Sequence, residues 1–97
     1  MEYSGPTDLF IDGEWSESAS GATLTTTDPA TESAYATVQK AGTPDVDAAV
    51  EAAAAAVDRG STWREADLST RRKTLHGMAD AIEDMKDEIA LVESHDN

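Results

Sequence analysis

The stretch from Asp67 to Asn97 constrains this chain more than any other. Leu75, Met78, Ala79, Ile82, Met85, Ile89 and Val92 recur in it at three- and four-residue steps. At about 100° per residue they share one face roughly 140° wide, and Asp80, Glu83, Asp84, Asp87 and Glu88 fall outside it. The pattern predicts a helix over about 68–95. Asp67 is placed to cap it, because a short carboxylate can accept from the free N–H groups of a first turn. Arg71 follows one turn later, at the spacing where opposite charges meet. Leu91 lies off the stripe, so a break is expected near 84–87, giving two helices in tandem. Such a face has to be buried against something. Glu93 and Asp96 add negative charge where the helix dipole is already negative, and neither glycine nor proline closes the helix.

With 97 residues there is room for one small domain. A chain of that size buries somewhat under ~70% of its unfolded surface, so its margin of stability is thin. The aromatic residues are Tyr3, Phe10, Trp15, Tyr35 and Trp63, and alanine supplies much of the remaining apolar content. Alanine contributes little burial, so a self-sufficient core is not expected.

The net charge of −13 is spread along the chain rather than gathered in a tail. It argues against nucleic acid, whose phosphates require a positive surface, and against an anionic membrane. Abundant carboxylates, many alanines and few lysines (Lys40, Lys73 and Lys86) suit a salt-rich cytosol, where screening removes the self-repulsion. A halophilic origin is the expectation, with an ordinary acidic protein as the plainer alternative. Without cysteine there is no disulfide frame, thiolate metal site or cysteine nucleophile. No apolar run approaches the ~20 residues of a membrane span. No secretory leader is visible, and the expected compartment is the cytoplasm.

Ahead of the long helix the chain reads as two β-hairpins over about 9–38. Residues 1–8 contain Gly5 and Pro6, offer little apolar surface and are expected to be flexible. Leu9-Phe10-Ile11, Asp12-Gly13 and Glu14-Trp15 form a hairpin signal, since both turn positions tolerate positive φ. Thr23 to Thr27 is mostly β-branched and reads as a strand. Asp28-Pro29-Ala30-Thr31 is a turn in which Asp28 bonds forward to the backbone. Ser33 to Gln39 returns, with Ala34, Ala36 and Val38 expected opposite Tyr35 and Thr37. Thr43-Pro44-Asp45 opens a helix over about 44–59 with Thr43 as its cap. Val46, Val50, Ala53 and Val57 form its stripe, and Gly60 suits the residue beyond its end. The two helical stretches are expected to lie antiparallel, with Trp63 anchoring the link between them.

No motif in the chain specifies an active site. His76 reads as a boundary residue of the stripe, and His95 as part of a solvated helix end rather than a metal ligand or catalytic group. Arg71-Arg72-Lys73 is the one basic cluster, better suited to neutralising nearby carboxylates than to holding phosphate. The glycines form no phosphate-cradling pattern. Serine and threonine are plentiful, but none can be paired with a base.

The ordered pieces "LFIDGEW", "SGATLTTTDPATES", "VQKAGTPDVDAAVEAAAAAVDRG" and "WREADLSTRRKTLHGMADAIEDMKDEIALVESHDN" together resemble the opening of the aldehyde dehydrogenase superfamily. The resemblance runs from about Leu9 to Asn97 and is strongest to betaine aldehyde dehydrogenase-like members. It implies an α/β fold of which residues 9–97 are a truncated N-terminal part of the NAD(P)-binding domain. The family has Asn-Pro-Ala-Thr-Gly-Glu where this chain has Asp28 to Ser33, so Glu32 stands in place of a glycine. The resemblance also implies an enzyme several times longer that oxidises aldehydes with NAD or NADP. Its cysteine nucleophile, glutamate base and cofactor loops all lie beyond this chain, so the chain alone is expected to bind no nicotinamide and to be inactive. Family enzymes are homo-oligomers, and the rest of the fold is the implied partner. Many members hold a structural K+ or Na+, and the matching positions here are the backbone at Thr26 and Thr27 and the carboxylate of Asp96. The alternative is a free-standing acidic helical module that docks a partner or dimerises through its apolar face.

Overall fold

The structure, a computed structural model, describes residues 2–97. Met1, at the head of the segment expected to be flexible, lies outside the described residues. Two antiparallel strand pairs are followed by three helices. Strands β1 (Leu9–Ile11) and β2 (Glu14–Ser16) form the first pair, and β3 (Thr23–Asp28) and β4 (Ser33–Gln39) the second. Helix α1 covers Thr43–Ala56, α2 Leu68–Asp84 and α3 Lys86–Asp96.

The first hairpin turns through Asp12 and Gly13, whose φ values of 55° and 78° are both positive. That backbone twists with the strands and aligns Phe10 with Trp15. Their rings pack with centroids 4.7 Å apart. In the second hairpin Asp28 Oδ1 accepts the Ala30 N–H at 2.8 Å, closing the turn that the Asp-Pro pair predicts.

Its register departs from simple alternation. Thr26 pairs with Ala36 but Thr27 pairs with Ala34, so Tyr35 is the extra residue of a bulge. A bulge moves the side chain at the irregularity onto the other face. Tyr35 therefore shares a concave surface with Ala36 and Val38 instead of lying opposite them.

The helix ends show where local chemistry prevailed. Asp67 caps α2, accepting from Thr70 N–H at 2.7 Å. The break falls at Met85, between the two tandem helices, inside the expected 84–87 window. Helix α1 starts one residue before the expected position, with Gly42 rather than Thr43 as its cap. Asp45 supplies the missing acceptor: its Oδ2 takes the Gly42 N–H at 2.8 Å and its Oδ1 the Ala19 N–H at 2.9 Å. The helix closes at Val57, earlier than the expected 59, and the chain then turns through Gly60 at φ 83°. Arg71 does not pair with Asp67. Its guanidinium donates to the carbonyls of Trp63, Arg64 and Ala66 at 2.8 to 3.2 Å and lies over the Trp63 ring, fixing the link into α2.

Helix α3 packs on β3, α1 on β1, and α2 meets α3 at the break. The residues ahead of β1 are tied in as well: Tyr3 meets Tyr35 edge-on, and the Thr7 carbonyl accepts the Gln39 N–H at 2.9 Å. Among the described residues no apolar side chain is buried; Ser18, Asp28 and Asp45 are, each held by hydrogen bonds. The radius of gyration is 16.9 Å. A compact chain of this length would have about 12–13 Å. The extents of 49 × 34 × 17 Å describe a thin slab with a projecting helical arm.

Candidate functional site

Residues far apart in sequence converge where the last turn of α3 meets β3 and β4. Alternation along β3 turns Leu24, Thr26 and Asp28 toward the helix and leaves Thr27 exposed on the other side. Asp96 Oδ1 accepts two hydroxyl groups, from Tyr35 at 2.5 Å and from Thr26 at 3.1 Å. One turn position back, His95 Nδ1 lies 2.8 Å from Asp28 Oδ2. Three polar contacts, made by the adjacent residues His95 and Asp96, thus fasten the end of α3 to the hairpin.

The electrostatics follow from these contacts. The hydrogen bond to His95, helped by the Ala30 N–H, holds the Asp28 carboxyl below its ordinary range. The Asp96 carboxylate raises the Tyr35 phenol above its usual value, since the neutral phenol is the donor it needs. His95 is therefore not a solvated helix end. Its partner is the turn residue Asp28, which nothing in sequence spacing places beside it.

Of the three positions matched to a cation site, the structure brings the side chains of Thr26 and Asp96 together and turns that of Thr27 away. The resemblance assigns both Thr26 and Thr27 to the site through their backbone oxygens, not their side chains. The bulge sits between Thr26 and Thr27, where regular ladder pairing is interrupted. Carboxylate, hydroxyl and carbonyl oxygens are the donors a hard monovalent cation takes. Among the described residues no three His, Asp or Glu side chains form a metal-binding group.

The other notable surface is apolar and uncovered. Leu68 is 82% exposed, and Leu75, Met78 and Ile82 are each more than half exposed along α2. Leu68, Leu75 and Ala79 line a shallow groove with Arg71, Arg72 and His76 on its rim. The accessible area is 7576 Å² for a mass of 10.3 kDa. A compact monomer of that mass would expose roughly 5,400 Å².

Comparison with known proteins accounts for this uncovered face. The sequence profile of the aldehyde dehydrogenase family matches residues 15–97. Human retinaldehyde dehydrogenase 3 is 42% identical over 90 residues, which is 93% of this chain and 18% of that protein. The putative aldehyde dehydrogenase DhaS of Bacillus subtilis is 42% identical over 93 residues, 96% of this chain and 19% of its own length. A Bacillus cereus aldehyde dehydrogenase structure superposes with a TM-score of 0.90 at 38% identity, over 96% of this chain and 19% of that one. Another, an NAD+ complex from the same organism, superposes at 0.87. The chain thus spans under a fifth of the length of these relatives, and its strands and helices are the N-terminal part of an aldehyde dehydrogenase fold. Nothing in these matches supports a free-standing interaction module.

Proposed function

Because this chain belongs to the aldehyde dehydrogenase family, we propose that it is the N-terminal segment of an NAD(P)-dependent enzyme that oxidises an aldehyde to a carboxylate, and that it is inactive by itself. The observation that carries this is the bare apolar face of α2, on a chain that corresponds to less than a fifth of its relatives. Such a face is stable in water only when something covers it.

Aldehyde oxidation of this kind begins with attack by a thiolate, and this chain holds no cysteine. The nucleophile and its base come from outside the segment. So do the loops that hold the nicotinamide cofactor, for which the NAD+ complex of the Bacillus cereus relative gives support. The segment's own contribution is to seal an edge. Residues 9–97 form part of the NAD(P)-binding domain, and the assembled enzyme is a homo-oligomer.

The betaine aldehyde dehydrogenase-like subtype rests on the quoted sequence pieces. A halophilic, cytoplasmic setting rests on the charge of −13 and the scarcity of lysine. A K+ or Na+ held by Asp96 and the backbone of Thr26 and Thr27 suits the oxygen donors at the hairpin end and offsets the carboxylate at the negative end of α3.

The test is NAD+ reduction by the purified chain with betaine aldehyde as substrate. No turnover above the buffer blank is expected. Sustained turnover would overturn the assignment of the chemistry to residues outside the segment.

A further inference from the structure

We propose that residues 3–7 form a detachable strap. Docked, it holds Tyr3 in the notch between the β3–β4 hairpin and α3, where Tyr3 braces Tyr35 as that residue donates to Asp96. Released, it leaves Tyr35 free to turn and loosens the end of α3. Every residue of the strap and of its dock lies within this chain, so the device is independent of whatever covers α2.

The strap is built around a ring lying over a glycine. The Tyr3 hydroxyl donates to the Pro6 carbonyl at 2.8 Å, which folds the segment back on itself. A Cβ at Gly5 would overlap the Tyr3 hydroxyl and the ring carbon that bears it, so only glycine leaves room for the ring. The φ of Gly5 is not positive, so its backbone accepts alanine and the ring alone is displaced. The same ring meets Tyr35 edge-on, with centroids 6.4 Å apart. It borders one cavity with Val92 and Asp96 and another with Met85 and Ile89. Thr7 is the second mooring: its carbonyl accepts the Gln39 N–H at 2.9 Å. Gln39 is itself fixed, since its Oε1 accepts the Ser18 N–H at 2.9 Å and the Ser18 hydroxyl at 3.1 Å. Between the moorings Ser4, Gly5 and Pro6 are exposed, and Tyr3 and Thr7 are half-buried. Beyond van der Waals contact, one aromatic pair and one hydrogen bond join the strap to the rest of the described residues. A segment held by so little opens locally long before the whole fold does. Because Tyr3 and Tyr35 pack on each other, the coupling runs both ways: what frees one loosens the other.

The experiment is NMR of the 97-residue chain, with amide exchange read at Gln39, at His95 to Asn97 and, as a control, at Thr70. Gly5→Ala should abolish the ring-to-ring cross-peaks between Tyr3 and Tyr35. Gly5→Ala and Tyr3→Ala should each speed exchange at Gln39 and at His95 to Asn97 roughly three- to tenfold, the effect of losing an edge-on aromatic pair. Thr70, bonded to Asp67 in the α2 cap, should be unchanged. Tyr3→Phe keeps the ring and loses only the bond to Pro6, and should give about a twofold effect. Ser4→Ala, at an exposed neighbour, should match the parent. In the reverse direction, Tyr35→Ala should return the Tyr3 ring resonances to those of a free peptide. Ring cross-peaks that survive Gly5→Ala would overturn the proposal, as would exchange at His95 to Asn97 unmoved by Tyr3→Ala. So would acceleration that spreads equally to Thr70, which reports a general loss of stability rather than release of a strap.

Discussion

His95 Nδ1 lies 2.8 Å from Oδ2 of Asp28, a residue sixty-seven positions earlier in the chain. Beside it the Tyr35 hydroxyl donates to Asp96 Oδ1. Together they clip the end of α3 to the β3–β4 hairpin, while Leu68, Leu75, Met78 and Ile82 of α2 stay exposed. The clip fixes the end of α3 by polar contacts rather than by a buried apolar seam.

His95→Ala removes the contact to Asp28, and Tyr35→Phe weakens the hold on Asp96, leaving it the Thr26 hydroxyl. Either change should speed amide exchange in the last turn of α3, and the double change should speed it more than either alone. Hydrogen exchange followed by NMR checks this. The first turn of α2, capped by Asp67 and remote from the clip, should be unaffected and serves as the internal control.

Acid should loosen the same chain from two places. Asp28 and Asp67 are both held below the ordinary carboxyl value, Asp28 chiefly by His95 and Asp67 by the Thr70 N–H. A lowered pKa in the fold favours the folded state fully above the ordinary value of about 3.9, and that contribution fades as pH falls through the lowered value. Tyr35 works in the opposite sense: its raised pKa contributes below about 10 and is lost as pH rises through the folded value. NMR titration should find both carboxyls titrating below free aspartate. Asp67→Asn should keep the α2 cap and abolish its share of the acid sensitivity.

Glu32 adopts φ 59°, a left-handed conformation that favours glycine. Its amide is bonded to the Asp28 carbonyl at 2.8 Å, so the turn cannot relax without losing that bond. Glu32→Gly should relieve the strain and favour the β3–β4 hairpin by up to about 1 kcal/mol, part of the gain being offset by the extra freedom of glycine when unfolded. The protection of the Thr27 and Asp28 amides against exchange measures the effect.

Much of the architecture was legible because it is set locally. Asp12-Gly13 demands a tight turn, Asp67 precedes a helical period, and the off-stripe Leu91 betrays the interruption at Met85. The candidate site was legible only in part. The Thr26 hydroxyl reaches Asp96, whereas strict alternation places Tyr35 on the opposite face of its strand. The bulge that turns it around leaves no mark in an alternating sequence, since it is set by how two strands fit rather than by either alone. The Asp28–His95 contact was equally hidden, because it depends on where a helix ends in space. Arg71 departs from its sequence spacing for a different reason. Asp67 lay at ion-pair spacing, but three converging carbonyls and the Trp63 ring offered a denser set of contacts.

The claim on which the rest depends is that these residues present an apolar face whose cover lies outside the 97-residue chain. Differential scanning calorimetry of the isolated chain in dilute buffer, with its mass in solution checked by sedimentation, tests it most directly. With no apolar side chain buried among the described residues, the chain should show a broad, weakly cooperative transition with little heat absorbed. A sharp two-state transition from a well-behaved monomer, with the calorimetric enthalpy of a normal domain of about 0.7 kcal/mol per residue, would contradict it.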